Sequence, residues 1–516
     1  MKKILLIITA LAATMFTSCD LETAPSDSVS TSTMLKTTEG GMQALNGTYR
    51  WFWAWGQTVT ANQHQSFGPQ SYALMGDLMG EDMVMSAQGN GWFWYDYLYN
   101  VKNMYASSAW RPYDCWNYYY TIISQVNYIL ASKNTMEGPK ADLDYILANC
   151  YALRAYSLHY LALTYARSYA GHETALSVPI YTQPTYAGTP GNARATNEEV
   201  YRQAMSDIDS AIVLLNGEEG RHVTHIGNTV AHGIKARIAL HMEQWQAAWD
   251  AAKVAATGAQ MTSDVKYGYN DSKADDVLWG AEIIASQGTT NPQFLAHMDP
   301  DFGGYGKAAR KCASKWLYDR VPSSDSRKAW WNLEFLDDDK TVQGYQQKKF
   351  QFANKVGGVV TDPTTGADHI FMRVPEMLLI EAESAARLGN ETEARRILNE
   401  DFMSYRDKSY NCTKTGLELG KLTTDETGSL LEEIILQRRI ELWGEYGRIY
   451  DIKRLRQGFV RTAEMGHPIT ALLTSLKTND PESFDWVLTI PQAEMDANPL
   501  MVQNPLGSEN TTGANL

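Results

Sequence analysis

The chain has 516 residues, 44% hydrophobic and 11% aromatic, with 45 Lys and Arg against 59 Asp and Glu for a formal net charge of -14. With 38 Gly and 17 Pro it is not a low-complexity or collagen-like chain. The acidic balance argues against a nucleic-acid partner and against electrostatic attraction to an anionic membrane surface.

Lys2 and Lys3 precede an apolar run from Ile4 to Phe16. It is too short to cross about 30 Å of hydrocarbon and suits the core of a secretory leader. Thr17-Ser18-Cys19 follows, two small residues before a cysteine as in a bacterial lipobox. Residues 1–18 are therefore expected to be a signal peptide, and Cys19 the acylated start of the mature chain. Residues 19–32 are polar and rich in Ser, Thr and Asp, as a tether would be. Beyond them no uninterrupted apolar stretch approaches about 18 residues. The body, 33–516, is read as a single globular unit held to the membrane by its acyl chains.

Helical periodicity dominates that body, with helices expected near 33–55, 114–257 and 370–455. Trp116, Tyr120, Ile123, Asn127 and Leu130 recur at three or four residues, as do Leu147, Cys150, Leu153, Leu158 and Leu161. Asn197 with Glu198 and Glu199 opens a further helix. Residues 381–399 have the small-residue helix, Gly-Asn turn and second helix of a tetratricopeptide-like hairpin, and 235–256 repeats the rhythm. Such hairpins bury their apolar faces only by stacking, so an all-α repeat scaffold is expected. Residues 56–112 and 258–368 are rich in Gly, Pro, Asn and aromatics and read as loop-rich binding regions. Cys115, Cys150, Cys312 and Cys412 are too far apart for a disulfide scaffold or zinc site and read as buried apolar residues.

Several motifs follow one another in a fixed order. Trp116 through Asn127-Tyr128-Ile129-Leu130, Leu153-Arg154-Ala155-Tyr156 and Val178-Pro179-Ile180 lie in the first half. Arg373 to Glu383, then Arg438-Arg439-Ile440-Glu441-Leu442 with Glu445, Arg448 and Asp451, then Asn498-Pro499 and Gln503-Asn504-Pro505, lie in the second. This ordered set resembles the SusD/RagB outer-membrane nutrient-binding lipoproteins, from whose pattern Arg167-Ser168-Tyr169 and the intervening Tyr446 depart. The resemblance implies a tetratricopeptide-based scaffold with a loop-rich ligand-binding subdomain. It also implies a surface lipoprotein, anchored in outer-membrane lipid through Cys19, that hands ligand to a SusC-like TonB-dependent transporter. The charged C-terminal motif is expected to form partnered, buried ion pairs, since unpaired burial would cost several kcal/mol.

Residues 92–120 hold thirteen aromatics. Trp116, Tyr119 and Tyr120 fall on a helical face and are assigned to the core, as are Trp51, Phe52, Trp53 and Trp55, which continue the first helix. Gly89-Asn90-Gly91-Trp92-Phe93-Trp94-Tyr95-Asp96 reads instead as an extended loop whose alternate residues share a face. Trp92 and Trp94 would form a platform for the C–H face of a sugar, with Tyr95 beside them and Asn90 and Asp96 meeting hydroxyls. A second candidate comprises Tyr305, Trp330 and Trp331, with Asp325 and Arg327 as structural neighbours. A glycan is the expected ligand and a peptide the alternative. A glycoside hydrolase would need two facing carboxylates, for which Asp77, Glu81, Asp82 and Asp96 are the nearby acids; a non-enzymatic role is expected. No motif calls for a cofactor or metal.

Overall fold

The computed structural model describes residues 31–58, 62–100, 110–508, 510 and 512, so the expected leader and the expected lipidation at Cys19 lie outside the described residues. α1 (Thr38–Trp53) is opened by Thr37, whose side chain accepts the Gly40 N–H, and buries Leu45, Tyr49, Phe52 and Trp53. Trp55, expected to extend it, lies past the helix end and is exposed. α2 (Pro69–Met79) starts on a proline whose missing N–H costs nothing there. α3 (Trp94–Tyr97) is one turn, and α4 (Trp110–Ala131) and α5 (Lys140–Tyr165) are long.

α6 (Asn197–Leu215) begins at Asn197, but its cap is Thr196, which forms a full capping box with Glu199. α7 (Asn228–His241) and α8 (Trp245–Ala256) form a hairpin that turns at Glu243, φ +55. α9 (Val374–Arg387) and α10 (Glu391–Arg396) form another, turning through Gly389 at φ +81. Asn390 caps α10 by accepting the Glu393 N–H. α11 (Leu430–Glu441), α12 (Arg448–Arg454) and α13 (Gln492–Ala497) complete the helices considered below.

The long helices stack as sequential neighbours, α4 on α5, α5 on α6, α6 on α7, α7 on α8, α8 on α9 and α9 on α11. Each pair hides the apolar face that its predecessor leaves open, so the scaffold is the expected all-α helical-repeat fold. α1 lies across α4 and α5, and α12 returns to α2 near the start of the chain.

Short strands, not anticipated from the sequence, punctuate the rest. They are β1 (Met83–Met85), β2 (Val277–Ala281), β3 (Lys311–Ala313), β4 (Trp331–Phe335), β5 (Gln343–Gln347), β6 (Lys355–Val356), β7 (Val359–Val360) and β8 (His369–Arg373). β1-β3-β5-β4 make one antiparallel sheet, while β2 pairs with β8 and β6 with β7. Val84 opposes Cys312, so the sheet joins segments more than 200 residues apart.

The charged C-terminal motif is buried and paired. Arg439 binds both Asp82 oxygens at 2.7 and 2.8 Å and Glu81 at 2.8 Å, and Arg448 reaches Glu81 at 3.1 Å. Arg438 and Arg454 share Asp451, and Arg454 also grips Glu383 at 2.7 and 2.8 Å. Arg373 and Arg406 meet at Glu441. Burial alone would raise the Glu81 carboxyl, but Arg448 and Arg439 hold it at about 2. The C-terminal motif also closes α5: the Asn504 amide donates to the Tyr165 and Leu488 carbonyls, and the buried Lys453 ammonium donates to Leu163 and Ala166. Cys115, Cys150, Cys312 and Cys412 are buried free thiols.

Candidate functional site

Arg111, at the start of α4, organises the loop that carries the first aromatic candidates. Its guanidinium, fully buried, grips Asp96 through two bonds of 2.8 and 2.9 Å and reaches the Gln65 carbonyl at 3.2 Å. The Gln65 side chain in turn accepts the Phe93 N–H. Three pieces of chain, 63–65, 93–97 and the α4 terminus, are therefore fastened to one cation. Phe93 sits at φ +61, in the left-handed region, and its ring is locked between Phe67 and His297. A left-handed aromatic is costly by roughly 1–2 kcal/mol and persists because the packing fixes it.

That backbone turn overturns the expectation of an extended loop. Phe93 ends the run and Trp94 begins α3, so Trp92 and Trp94 do not form one platform. Trp94 is buried against Tyr97, with ring centres 5.7 Å apart. Asp96 is buried too, and its carboxylate is spent on Arg111, so it offers nothing to a hydroxyl. Trp92 stays half-exposed, Tyr95 is 45% exposed and Asn90 is exposed on the turn between Gly89 and Gly91, both at positive φ.

Trp92 is held by a partner the sequence did not reveal. His64 stacks on it with ring centres 5.2 Å apart and planes only 6° from parallel. Tyr305 meets both rings edge-on, at 5.9 Å from Trp92 and 5.7 Å from His64, and its hydroxyl is bonded to His64 Nδ1 at 2.6 Å. Beneath them His297 stacks on Tyr305 and donates Nε2–H to the His64 carbonyl at 2.8 Å. Burial, reinforced by Lys311, keeps the His297 imidazole well below its usual pKa and so neutral. Tyr305 is 8% exposed, so it braces the stack and presents little surface of its own. His64 carried no recognisable signal; it lies in a Gln-His-Gln turn, 241 residues from Tyr305.

The structure removes Trp330 and Trp331 from the site. They are 0% and 1% exposed. Trp330 donates to the Val265 carbonyl at 2.6 Å and packs edge-on against Tyr269, while Trp331 opens β4 and packs edge-on against Trp443. Neither leaves an indole face for a ligand. Asp325 and Arg327 are buried with them, bonded to each other at 2.7 Å, and Arg327 also reaches Glu441.

The acids considered for hydrolysis are committed elsewhere. Glu81 and Asp82 bind Arg439 and Arg448, Asp96 binds Arg111, and the Asp77 carboxylate accepts the Arg448 N–H at 3.0 Å. All four are buried. Among the described residues no helix is long and apolar enough to cross a membrane.

Residues 328–506 match the sequence model of the SusD family, and residues 56–240 match one described as starch-binding associating with outer membrane. No curated protein matches the chain. A SusD-like carbohydrate binding protein from Bacteroides vulgatus superposes with a TM-score of 0.73 at 24% identity, over 90% of this chain and 97% of that one. A SusD superfamily protein from Bacteroides thetaiotaomicron gives 0.74 at 23% identity, over 91% and 100%. Surface glycan-binding protein A from Bacteroides thetaiotaomicron, solved in complex with laminarihexaose, gives 0.65 at 17% identity, over 91% and 99%. At these identities the likeness to the solved structures is one of fold.

Proposed function

We propose, for a chain that belongs to the SusD family, a non-catalytic role in capturing glycan at the cell surface through the Trp92 platform. The observation that carries it is the half-exposed Trp92 ring, fixed parallel to His64 and braced by Tyr305. A rigid indole face suits the apolar C–H face of a pyranose, and holding it in place beforehand avoids the entropy of ordering a loose side chain. Tyr95 and Asn90, exposed within three residues of Trp92, are assigned to the same surface, where the Asn90 amide would supply a donor and an acceptor for ring hydroxyls. Burial and pairing of Glu81, Asp82 and Asp96 support a role without hydrolysis.

The solved relative that holds laminarihexaose and the family description of starch binding with outer-membrane association support the choice of a sugar. In this reading Cys19 carries the lipid anchor on the outer face of the outer membrane, and captured glycan passes to a SusC-like TonB-dependent transporter.

Titration calorimetry of the purified protein with laminarihexaose, maltohexaose, cellohexaose and a mixed peptide library tests the proposal. Trp92→Ala removes roughly 1.5–3 kcal/mol of apolar contact and should weaken binding of the preferred glycan about ten- to a hundredfold. Peptide binding with silent glycans would replace the ligand class. Unaltered glycan binding by Trp92→Ala would remove the platform.

A further inference from the structure

A separate cleft of about 400 Å³ runs along α4, and neither the sequence reading nor the platform accounts for it. Tyr113, Trp116, Asn117, Tyr120, Ser124 and Asn127 line it from one face of the helix, at the three- and four-residue spacing that places side chains in a row. Tyr181, Gln183 and Tyr186 line it from the 181–191 segment, and Glu494 and Asn498 from α13 and its end. The volume lies within the usual range for small-molecule sites.

The rings of this cleft are fixed. Trp116 and Tyr120 lie 4.7 Å apart, Tyr120 meets Tyr181 edge-on at 5.8 Å, and the Tyr120 hydroxyl donates to the Pro179 carbonyl at 2.7 Å. Tyr186 rests edge-on against Tyr128 at 5.5 Å, yet is 66% exposed. The 181–191 segment is tied down as well. The Asn127 amide, buried in α4, donates to the Tyr181 and Gln183 carbonyls at 3.0 and 3.2 Å, and its oxygen accepts Arg154 at 2.8 Å. From the other side the Asn498 amide donates to the Asn192 carbonyl and to Glu494, at 2.9 and 3.0 Å.

Aromatic faces interleaved with carboxamides and hydroxyls are the chemistry that a sugar ring needs, apolar above and below and polar around its edge. Glu494 is the one charged residue among the described residues that line the cleft. A carboxylate there accepts hydroxyl protons and repels an anionic sugar. We propose that this cleft is a second carbohydrate-binding site, selective for a neutral oligosaccharide. It goes beyond the platform reading because it uses other residues and stands or falls separately.

The test uses the full chain, solubilised in detergent and labelled with 5-fluorotryptophan. Fluorine resonances of Trp92 and Trp116 are identified by their loss in Trp92→Phe and Trp116→Phe. Laminarihexaose, maltohexaose, cellohexaose and xylohexaose are each titrated, with trigalacturonate as the anionic control. The proposal expects at least one neutral hexasaccharide to shift the Trp116 resonance and trigalacturonate to leave it in place. Tyr186→Ala and Gln183→Ala, both on exposed residues, should each weaken that shift about tenfold while the other fluorine signals confirm the fold.

A Trp116 resonance unmoved by all four neutral sugars, or a shift that keeps its affinity in both variants, overturns the second site. Trp92 moving without Trp116 defeats this inference and leaves the platform standing. Trp116 moving without Trp92 does the reverse.

Discussion

The clasp around Arg439 and the platform around Trp92 both join distant parts of the chain, but they use chemistry oppositely. The clasp buries four full charges, Arg439, Arg448, Glu81 and Asp82, each with a partner. The platform buries the Arg111 cation beneath the loop and leaves an aromatic face half in solvent above it. Ion pairs in the first region hold the fold and have no surface to offer. In the second, a buried ion pair fixes the loop so that a neighbouring ring can be offered. Charge density therefore marks the frame of this protein, and the half-exposed rigid aromatics mark where a ligand is proposed to bind.

Arg439→Met breaks the first half of that contrast and should have the largest effect. Leaving the buried Glu81 and Asp82 to share Arg448 after the loss of Arg439 should cost about 3–5 kcal/mol in urea denaturation. A loss below about 1 kcal/mol would mean that water solvates the clasp. Acid should undo the same region. Glu81 titrates at about 2 in the folded protein against its ordinary 4.5, so its contribution is complete above about pH 4.5. That stability is lost as the pH falls from 4.5 through 2, because the unfolded chain takes up the proton first. The melting temperature measured from pH 7 to 3 should thus be level at first and fall below about pH 4.5, and a flat profile would contradict the pairing.

Trp330→Phe sharpens the contrast from the aromatic side. It removes buried volume and the bond to the Val265 carbonyl, and should cost about 1–3 kcal/mol in stability. The affinity of the folded variant for the preferred glycan should not change. Tyr95→Ala should do the opposite: stability should hold within about 0.5 kcal/mol, while glycan binding weakens about two- to tenfold in calorimetry. Equal effects of both variants on binding would erase the distinction between frame and platform.

Trp92 and Trp330 show what the sequence could reveal. The helices were legible because periodicity is local, as in α4 and the α9–α10 hairpin, and the ordered motifs identified the family. The paired fate of Arg438 to Asp451 was legible because charges in a helical stretch must find partners when buried. The run Trp330-Trp331 looked like the run at Trp92, yet its burial depends on Trp443, more than 100 residues later. Alternation failed at Trp92 and Trp94 because Phe93 turns left-handed, a choice imposed by packing against Phe67 and His297. The same limit hid the cleft: Trp116, Tyr120 and Asn127 had a core-like spacing, and only the 181–191 segment opposite gives their face an opening.

The Asp82–Arg439 bond spans 357 residues of sequence. Closing so long a loop is slow, because its entropy must be lost before the contact returns any stability. A chain emerging from its N-terminus must also carry Glu81 and Asp82 without their arginines until α11 and α12 arrive. The first half can therefore assemble hairpins early, but the register of residues 77–82 is settled only when nearly the whole chain is present. Folding of this protein should end with the two ends of the scaffold meeting, and a chain shortened before α12 should remain open and aggregation-prone however well its first helices form.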